Sequence, residues 1–293
     1  MKHLVTSGCS FTETWPENPI NGQTWADYLA LMTKMKLHNV AMCGAGNHII
    51  STNVIKQTEK LLESGISAED ICVIVQWSGI FRFDRVIEKN MANNWGSDFG
   101  QRPVWIKAIA TKEKRFEPPK DTKNDWIMCA GARTRGVWPQ LLGMTSKEQA
   151  FLETLENILR VQWYMKSKNI RYKMFSGWDI FTDGTSGKKG HNIGDFTVNS
   201  GDQFSLDGNY NSKSNTLLKE NCKWFGYLFD MIDWENYWTY NSDKIKFGGL
   251  TQWTIENTPK QLWFRAKGDH HPTNAGHRQF AKKILMEIIN ESV

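Results

Sequence analysis

Two kinds of apolar pattern alternate along this chain. Short runs rich in β-branched residues are separated by stretches in which apolar residues recur every three or four positions. Leu4-Val5 leads into a turn at Gly8, and Thr24 then caps a helix carrying Trp25, Tyr28, Leu29 and Met32 on one face. His38-Asn39-Val40-Ala41 is a second strand that ends at Gly44-Ala45-Gly46. A helix with Ile50, Val54, Leu61 and Leu62 follows and stops near Gly65. Ile71-Cys72-Val73-Ile74-Val75 is a continuous apolar run, as expected of a strand buried on both faces of a parallel sheet.

The alternation breaks after Trp77. Residues from about 80 to 145 mix charge, proline, glycine and tryptophan with weak periodicity, and read as an insertion. Ser146 and Gln149 then form the pattern of a capping box, opening a helix with Phe151, Leu155, Ile158, Leu159, Gln162 and Trp163. Residues 170–175 make a fourth strand, and residues 181–216, rich in Gly, Ser, Asn and Asp, a second insertion. A helix with Leu217, Leu218, Phe225, Leu228 and Phe229, a short fifth strand at Leu262-Trp263-Phe264, and a closing helix from about Asn274 with Phe280, Ile284, Leu285 and Ile288 complete the set.

Strands alternating with helices imply an α/β fold: a parallel sheet of about five strands covered on both faces, in three layers. The expected organisation is one domain over residues 1–293 with the two insertions. In such sheets ligands bind beyond the carboxyl ends of the strands. Ser10 follows the first strand, Gly44 the second, Ser78 the third, and Asp269 and His271 the fifth, so all are expected on one edge.

Composition narrows the function classes. A net charge of +5 is too weak to imply nucleic acid. Mean hydropathy is −0.51 and there is no run of eighteen apolar residues, so no membrane span is expected. The N-terminus lacks the apolar stretch of a signal peptide, which makes the expected location cytoplasmic. Five scattered cysteines with no Cys-x-x-Cys suit reduced thiols, not a disulfide framework or a zinc site. The 14 tryptophans are expected mostly in the core, the remainder being available to line a ligand groove.

Candidate chemistry lies at the two ends. The head reads Ser7-Gly8-Cys9-Ser10-Phe11-Thr12, and the tail Gly268-Asp269-His270-His271-Pro272-Thr273-Asn274. Pro272 biases His271 toward an extended conformation, in which residues two apart share a side. Asp269 and His271 can therefore project together, the carboxylate fixing one imidazole tautomer while the other nitrogen faces a nucleophile. The alternative is that Asp269 caps the helix that follows.

These blocks resemble the SGNH hydrolases, also called GDSL-type esterases and lipases. Gly8-Cys9-Ser10-Phe11 stands as a divergent first block, Asn39-Val40-Ala41-Met42-Cys43-Gly44 as the second, and Asp269-His270-His271-Pro272 as the last. The resemblance implies a flavodoxin-like α/β/α fold and acyl transfer from an O-acyl ester, plausible on a carbohydrate. Ser10 would be the nucleophile, His271 the base, Asp269 its orienting acid, and the Ser10 and Gly44 N–H groups an oxyanion hole. No cofactor or metal is expected. Neither is a nucleic-acid or membrane partner: the expected partner is the acylated small molecule or glycan itself. The third block departs from the family. Gln76-Trp77-Ser78-Gly79-Ile80 lacks its asparagine, leaving Asn47, Ser78 or Gln76 as candidate side-chain donors. Trp77 and Arg82 are candidate substrate contacts, Arg82 toward an anionic substrate.

Three alternatives stand beside this reading. Cys9 could serve with His271 in a thiol hydrolase, since cysteine is the stronger nucleophile. Asp269, His270, His271 and His277 could bind a metal. The chain could also be a non-catalytic glycan-binding or accessory protein on the same scaffold, because fold does not guarantee activity.

Overall fold

The structure is a computed structural model. It describes residues 2–14, 22–80, 82–88, 124–129, 146–182, 217–243, 245–263 and 271–290. Strands β1 (His3–Ser7), β2 (Lys36–Asn39), β3 (Ile71–Trp77), β6 (Arg171–Ser176) and β7 (Tyr237–Trp238) form one sheet in the order β2-β1-β3-β6-β7. Every pairing in it is parallel. Strands β4 (Phe83–Glu88) and β5 (Asn124–Cys129) form a separate antiparallel pair inside the first insertion. The second insertion lies almost wholly outside the described residues.

Helix α2 (Asn47–Glu63) packs on β1 and β3 and against α3 (Lys147–Ser167). On the other face, beyond α4 (Leu250–Asn257) in the chain, α1 (Trp25–Thr33) packs against a helix that runs as α5 (Asn274–Phe280), a π-helical turn at Ala281–Leu285, and a further turn at Met286–Asn290. This is the expected three-layer α/β/α arrangement with a flavodoxin-like strand order. β3 is at most 1% exposed along its length because helices cover both its faces. Phe280 of α5 seats its ring 5.2 Å from that of Phe175 and 5.3 Å from that of Trp238.

Capping explains where the helices start. The Thr24 N–H donates to Asp27 Oδ2 at 2.8 Å at the head of α1, and Ser146 Oγ accepts from the Gln149 N–H at 3.0 Å at the head of α3. The Gln149 side chain turns instead to Glu153, so only half of the expected capping box forms.

Two expectations are corrected. The fifth strand is Tyr237–Trp238, whereas Lys260–Leu262 is a 3₁₀ turn opened by Pro259. The expected helix over Leu217–Phe229 is two short turns, Leu218–Asn221 and Tyr227–Asp230, separated at Cys222. There Gly226 lies so close to Lys219 that an added Cβ would fall 2.7 Å from its carbonyl oxygen.

Candidate functional site

Strand order reverses between β1, which continues outward to β2, and β3, which continues the other way. Open α/β sheets bind their ligands at such a switch point, beyond the carboxyl ends of the strands. The turn after β1 and the turn after β3 flank this crevice.

The turn after β1 is closed by the Thr12 and Glu13 N–H groups donating to Cys9 O at 2.9 and 3.1 Å. Thr12 fixes it further. Its hydroxyl donates to Gln76 Oε1 at 3.0 Å and accepts from Trp25 Nε1 at 3.1 Å, while its carbonyl accepts from Asn39 Nδ2 at 2.7 Å and Thr24 Oγ1 at 2.9 Å. Ser10 sits in this turn, 5% exposed.

His271 reaches Ser10 from the far end of the chain. It precedes Pro272 and the helix cap Thr273, whose Oγ1 accepts from the Gly276 N–H at 3.1 Å and donates to Leu262 O at 2.9 Å. The loop is thus pinned two residues beyond the histidine. His271 Nε2 lies 2.6 Å from Ser10 Oγ, and the imidazole centroid is 4.8 Å from that of Phe11. Among the described residues the element that precedes His271 is the 3₁₀ turn Lys260–Leu262, where a fifth strand beginning at Leu262 was expected. Asp269 and His270 lie outside the described residues.

Gly44 has φ +79°, a backbone conformation that a side chain disfavours. Two residues on, Gly46 meets the chain after β3 so closely that an added Cβ would fall 2.1 Å from Arg82 O. From that same segment Asp84 reaches the head of α2: its Oδ1 accepts from the Gly46 N–H and its Oδ2 from the Ile49 N–H, both at 3.0 Å. A carboxylate from another element thus caps the helix in the manner of a capping box. Sequence reasoning missed this residue because its partners lie across a chain reversal.

The expected side-chain donors fare differently. Asn47 Nδ2 donates to Ser78 O and Thr154 Oγ1, both at 3.1 Å, and its Oδ1 accepts from the Ser78 N–H at 2.9 Å. That amide ties α2 to β3 and α3, leaving neither N–H for an oxyanion. Gln76 is similarly engaged, with Cys9, Thr12 and the Trp77 carbonyl. Ser78 Oγ is buried and without a partner among the described residues. Trp77 is fully buried, which corrects its expected place as a substrate contact: it belongs to the core.

Cys9 also turns inward, its Sγ donating to Gln76 Oε1 at 3.4 Å. Adjacent residues point apart, and here Ser10 is the one facing the imidazole. A different thiol stands at the site. Cys43 stands beside Ser10, and its backbone N–H donates to Glu13 Oε2 at 2.9 Å. Burial, reinforced by Glu13, pushes the Cys43 thiol up to about 11. Arg82 lays its guanidinium carbon 5.1 Å from the ring centroid of Trp178, whose ring lies edge-on to Phe11 at 5.3 Å. His277 is fully buried in α5, and among the described residues no group of three His, Cys, Asp or Glu side chains gathers that could hold a metal.

No family model matches the chain, and no curated protein does. Among solved structures it is similar to the X-ray crystal structure of protein YXIM from Bacillus subtilis, with 13% identity and a TM-score of 0.45. The match covers 100% of this chain and 57% of that one, so the chain spans little more than half the length of that protein.

Proposed function

We propose that this protein is a serine esterase of the SGNH kind, hydrolysing an O-acyl ester through an acyl-enzyme. The observation that carries the reading is the 2.6 Å contact between His271 Nε2 and Ser10 Oγ at the switch point of a parallel sheet. A serine hydroxyl is a weak nucleophile until a base takes its proton, and a hydrogen-bonded imidazole is the group that does so.

In this mechanism His271 removes the Ser10 proton as Oγ attacks the ester carbonyl. The imidazolium then returns that proton to the leaving alcohol. Water, deprotonated by the same imidazole, attacks the acyl-enzyme and regenerates Ser10. Asp269 is assigned the orienting role by its place two residues before His271. The N–H groups of Ser10 and Gly44 are assigned to the oxyanion by their places in the first and second sequence blocks. We assign a carbohydrate as the alcohol on the likeness of the sequence blocks alone. Among the described tryptophans, Trp25, Trp77, Trp178 and Trp253 are core residues, Trp234, Trp238 and Trp263 are half-buried, and Trp163 on α3 and Trp224 in a turn are exposed.

The test is a screen of short acyl esters, including acetylated sugars, against wild type and Ser10→Ala, with a fluorophosphonate probe in parallel. Hydrolysis and labelling that both vanish in Ser10→Ala support the proposal. Turnover retained in that variant overturns it. Absence of both from the wild type would favour a non-catalytic accessory protein, the reading to which the engaged Asn47 amide lends weight.

A further inference from the structure

The turn after β3 holds buried hydrogen-bond donors that no described residue engages. Arg82 Nη1, Trp178 Nε1 and Ser78 Oγ are each buried without an acceptor among the described residues. They belong to one locality. The Arg82 N–H closes the turn onto Gly79 O at 3.1 Å, Gly79 is so near Trp178 that an added Cβ would lie 3.3 Å from Nε1, and the guanidinium rests on the same indole. Trp77 Nε1, one residue before Ser78, is likewise without an acceptor among the described residues, whereas Trp25 Nε1 is satisfied by Thr12, the Asn47 amide by Ser78 and Thr154, and the Asp84 carboxylate by the Gly46 and Ile49 amides. Buried donors are ordinarily paired, so a group of them without acceptors marks a place for an acceptor-rich ligand.

One of these donors carries a permanent positive charge. A guanidinium matches the planar, paired oxygens of carboxylate, phosphate or sulfate, and an indole beneath it holds its plane in place. Arg82 is only half-buried, so the charge is reachable. A chain of ring contacts links it to the Ser10–His271 pair: Trp178 lies edge-on to Phe11, Phe11 packs beside the His271 imidazole, and the Cys43 thiol lies in the field of the guanidinium.

We propose that Arg82, braced on Trp178, receives an anionic group of the substrate, so that the ester cleaved at Ser10 carries a carboxylate, phosphate or sulfate. The proposal rests on the esterase reading and names the substrate class of that same site.

Paired esters that differ only in charge test it. On the acyl side these are 4-nitrophenyl hydrogen succinate and its methyl ester; on the alcohol side, 4-acetoxybenzoate and its methyl ester. In wild type at least one charged member should have the higher kcat/KM. In Arg82→Gln the charged-to-neutral ratio should fall by about ten-fold or more, while Arg82→Lys keeps part of the preference. Equal losses on charged and neutral esters would overturn the proposal, as would a wild type with no preference in either pair. Binding gives a second readout that needs neither hydrolysis nor a well-behaved single variant. Calorimetric titration of Ser10→Ala with monoethyl succinate should show affinity that diethyl succinate lacks and that Ser10→Ala/Arg82→Lys weakens. Equal affinity for the two would again overturn it. A protein that hydrolyses no ester yet binds monoethyl succinate through Arg82 would sink the esterase reading and leave the anion site standing. One that hydrolyses neutral esters equally well would do the reverse.

Discussion

His271 presents Nε2 to Ser10 Oγ at 2.6 Å although 261 positions of sequence separate them. Neither residue is placed by its neighbours alone. Ser10 is held by the Thr12 hub after β1, and His271 by the Thr273 cap that anchors α5 to Leu262. If the pair acts as nucleophile and base, Ser10→Ala and His271→Ala each lower kcat/KM for a short acyl ester by about 10³-fold or more. The double variant should be no worse than the more damaged single one, because residues that act as a unit are not additive. Steady-state kinetics on the three variants decides it.

Asp84 holds the Gly46 and Ile49 amides at the head of α2. Replacement by Ala leaves both N–H groups without their acceptor in a buried place. The expected cost is about 2 kcal/mol, from the loss of a cap and the burial of unpaired donors. Asn, with a single oxygen acceptor, should recover part of it. Denaturant unfolding of the two variants measures both.

Cys43 titrates at about 11, against 9.0 for an ordinary thiol, because burial and the nearby Glu13 disfavour its thiolate. At pH 8 the thiolate is therefore about a hundredth as populated as in a free cysteine, and the thiolate is the form that alkylates. Native protein treated with iodoacetamide at pH 8 should be modified at Cys43 far more slowly than unfolded protein, as peptide mapping would show. The same shift ties stability to alkaline pH: its contribution holds below pH 9 and is lost as pH rises toward 11.

His38 stacks on His3 with Nε2 2.9 Å from His3 Nδ1. Burial, with His3 and Lys36 beside it, holds His38 below its ordinary 6.5. A base with a lowered folded pKa stabilises the fold above its unfolded pKa. As pH falls below 6.5 the unfolded chain takes a proton that the folded chain resists, and stability drops. Melting temperatures between pH 7 and pH 5 should therefore fall more steeply for wild type than for His38→Gln. Equal slopes would assign the acid sensitivity elsewhere.

What the sequence disclosed follows from range. β3 is legible because burial on two faces demands an unbroken apolar run, Ile71–Val75, and β6 because buried Tyr172 and Met174 alternate with half-buried Arg171 and Lys173. β7 is not: two residues show no periodicity, and Leu262-Trp263 offered a stronger local signal that Pro259 turns into a 3₁₀ helix. At the site, Ser10 and His271 are legible because each lies in a short motif with a stereochemical reason behind it. The capping role of Asp84 and the engagement of Asn47 are not, since each depends on a partner more than thirty residues away. The missing third-block asparagine was visible as an absence. Only three dimensions show that Asn47 is spoken for and that Arg82 stands near the gap.

The packing of Phe280 on Phe175 and Trp238 bears on how the protein is made. A chain leaving the ribosome has finished β7 at Trp238 before it has produced either His271 or the helix that walls one face of the sheet. Domains fold as units when their cores are complete. The segment from His271 to Asn290 delivers that wall and the imidazole together, so a chain stopped before it holds an exposed sheet and no imidazole beside Ser10. Structural maturity and any chemistry at Ser10 therefore arrive in the same step of synthesis.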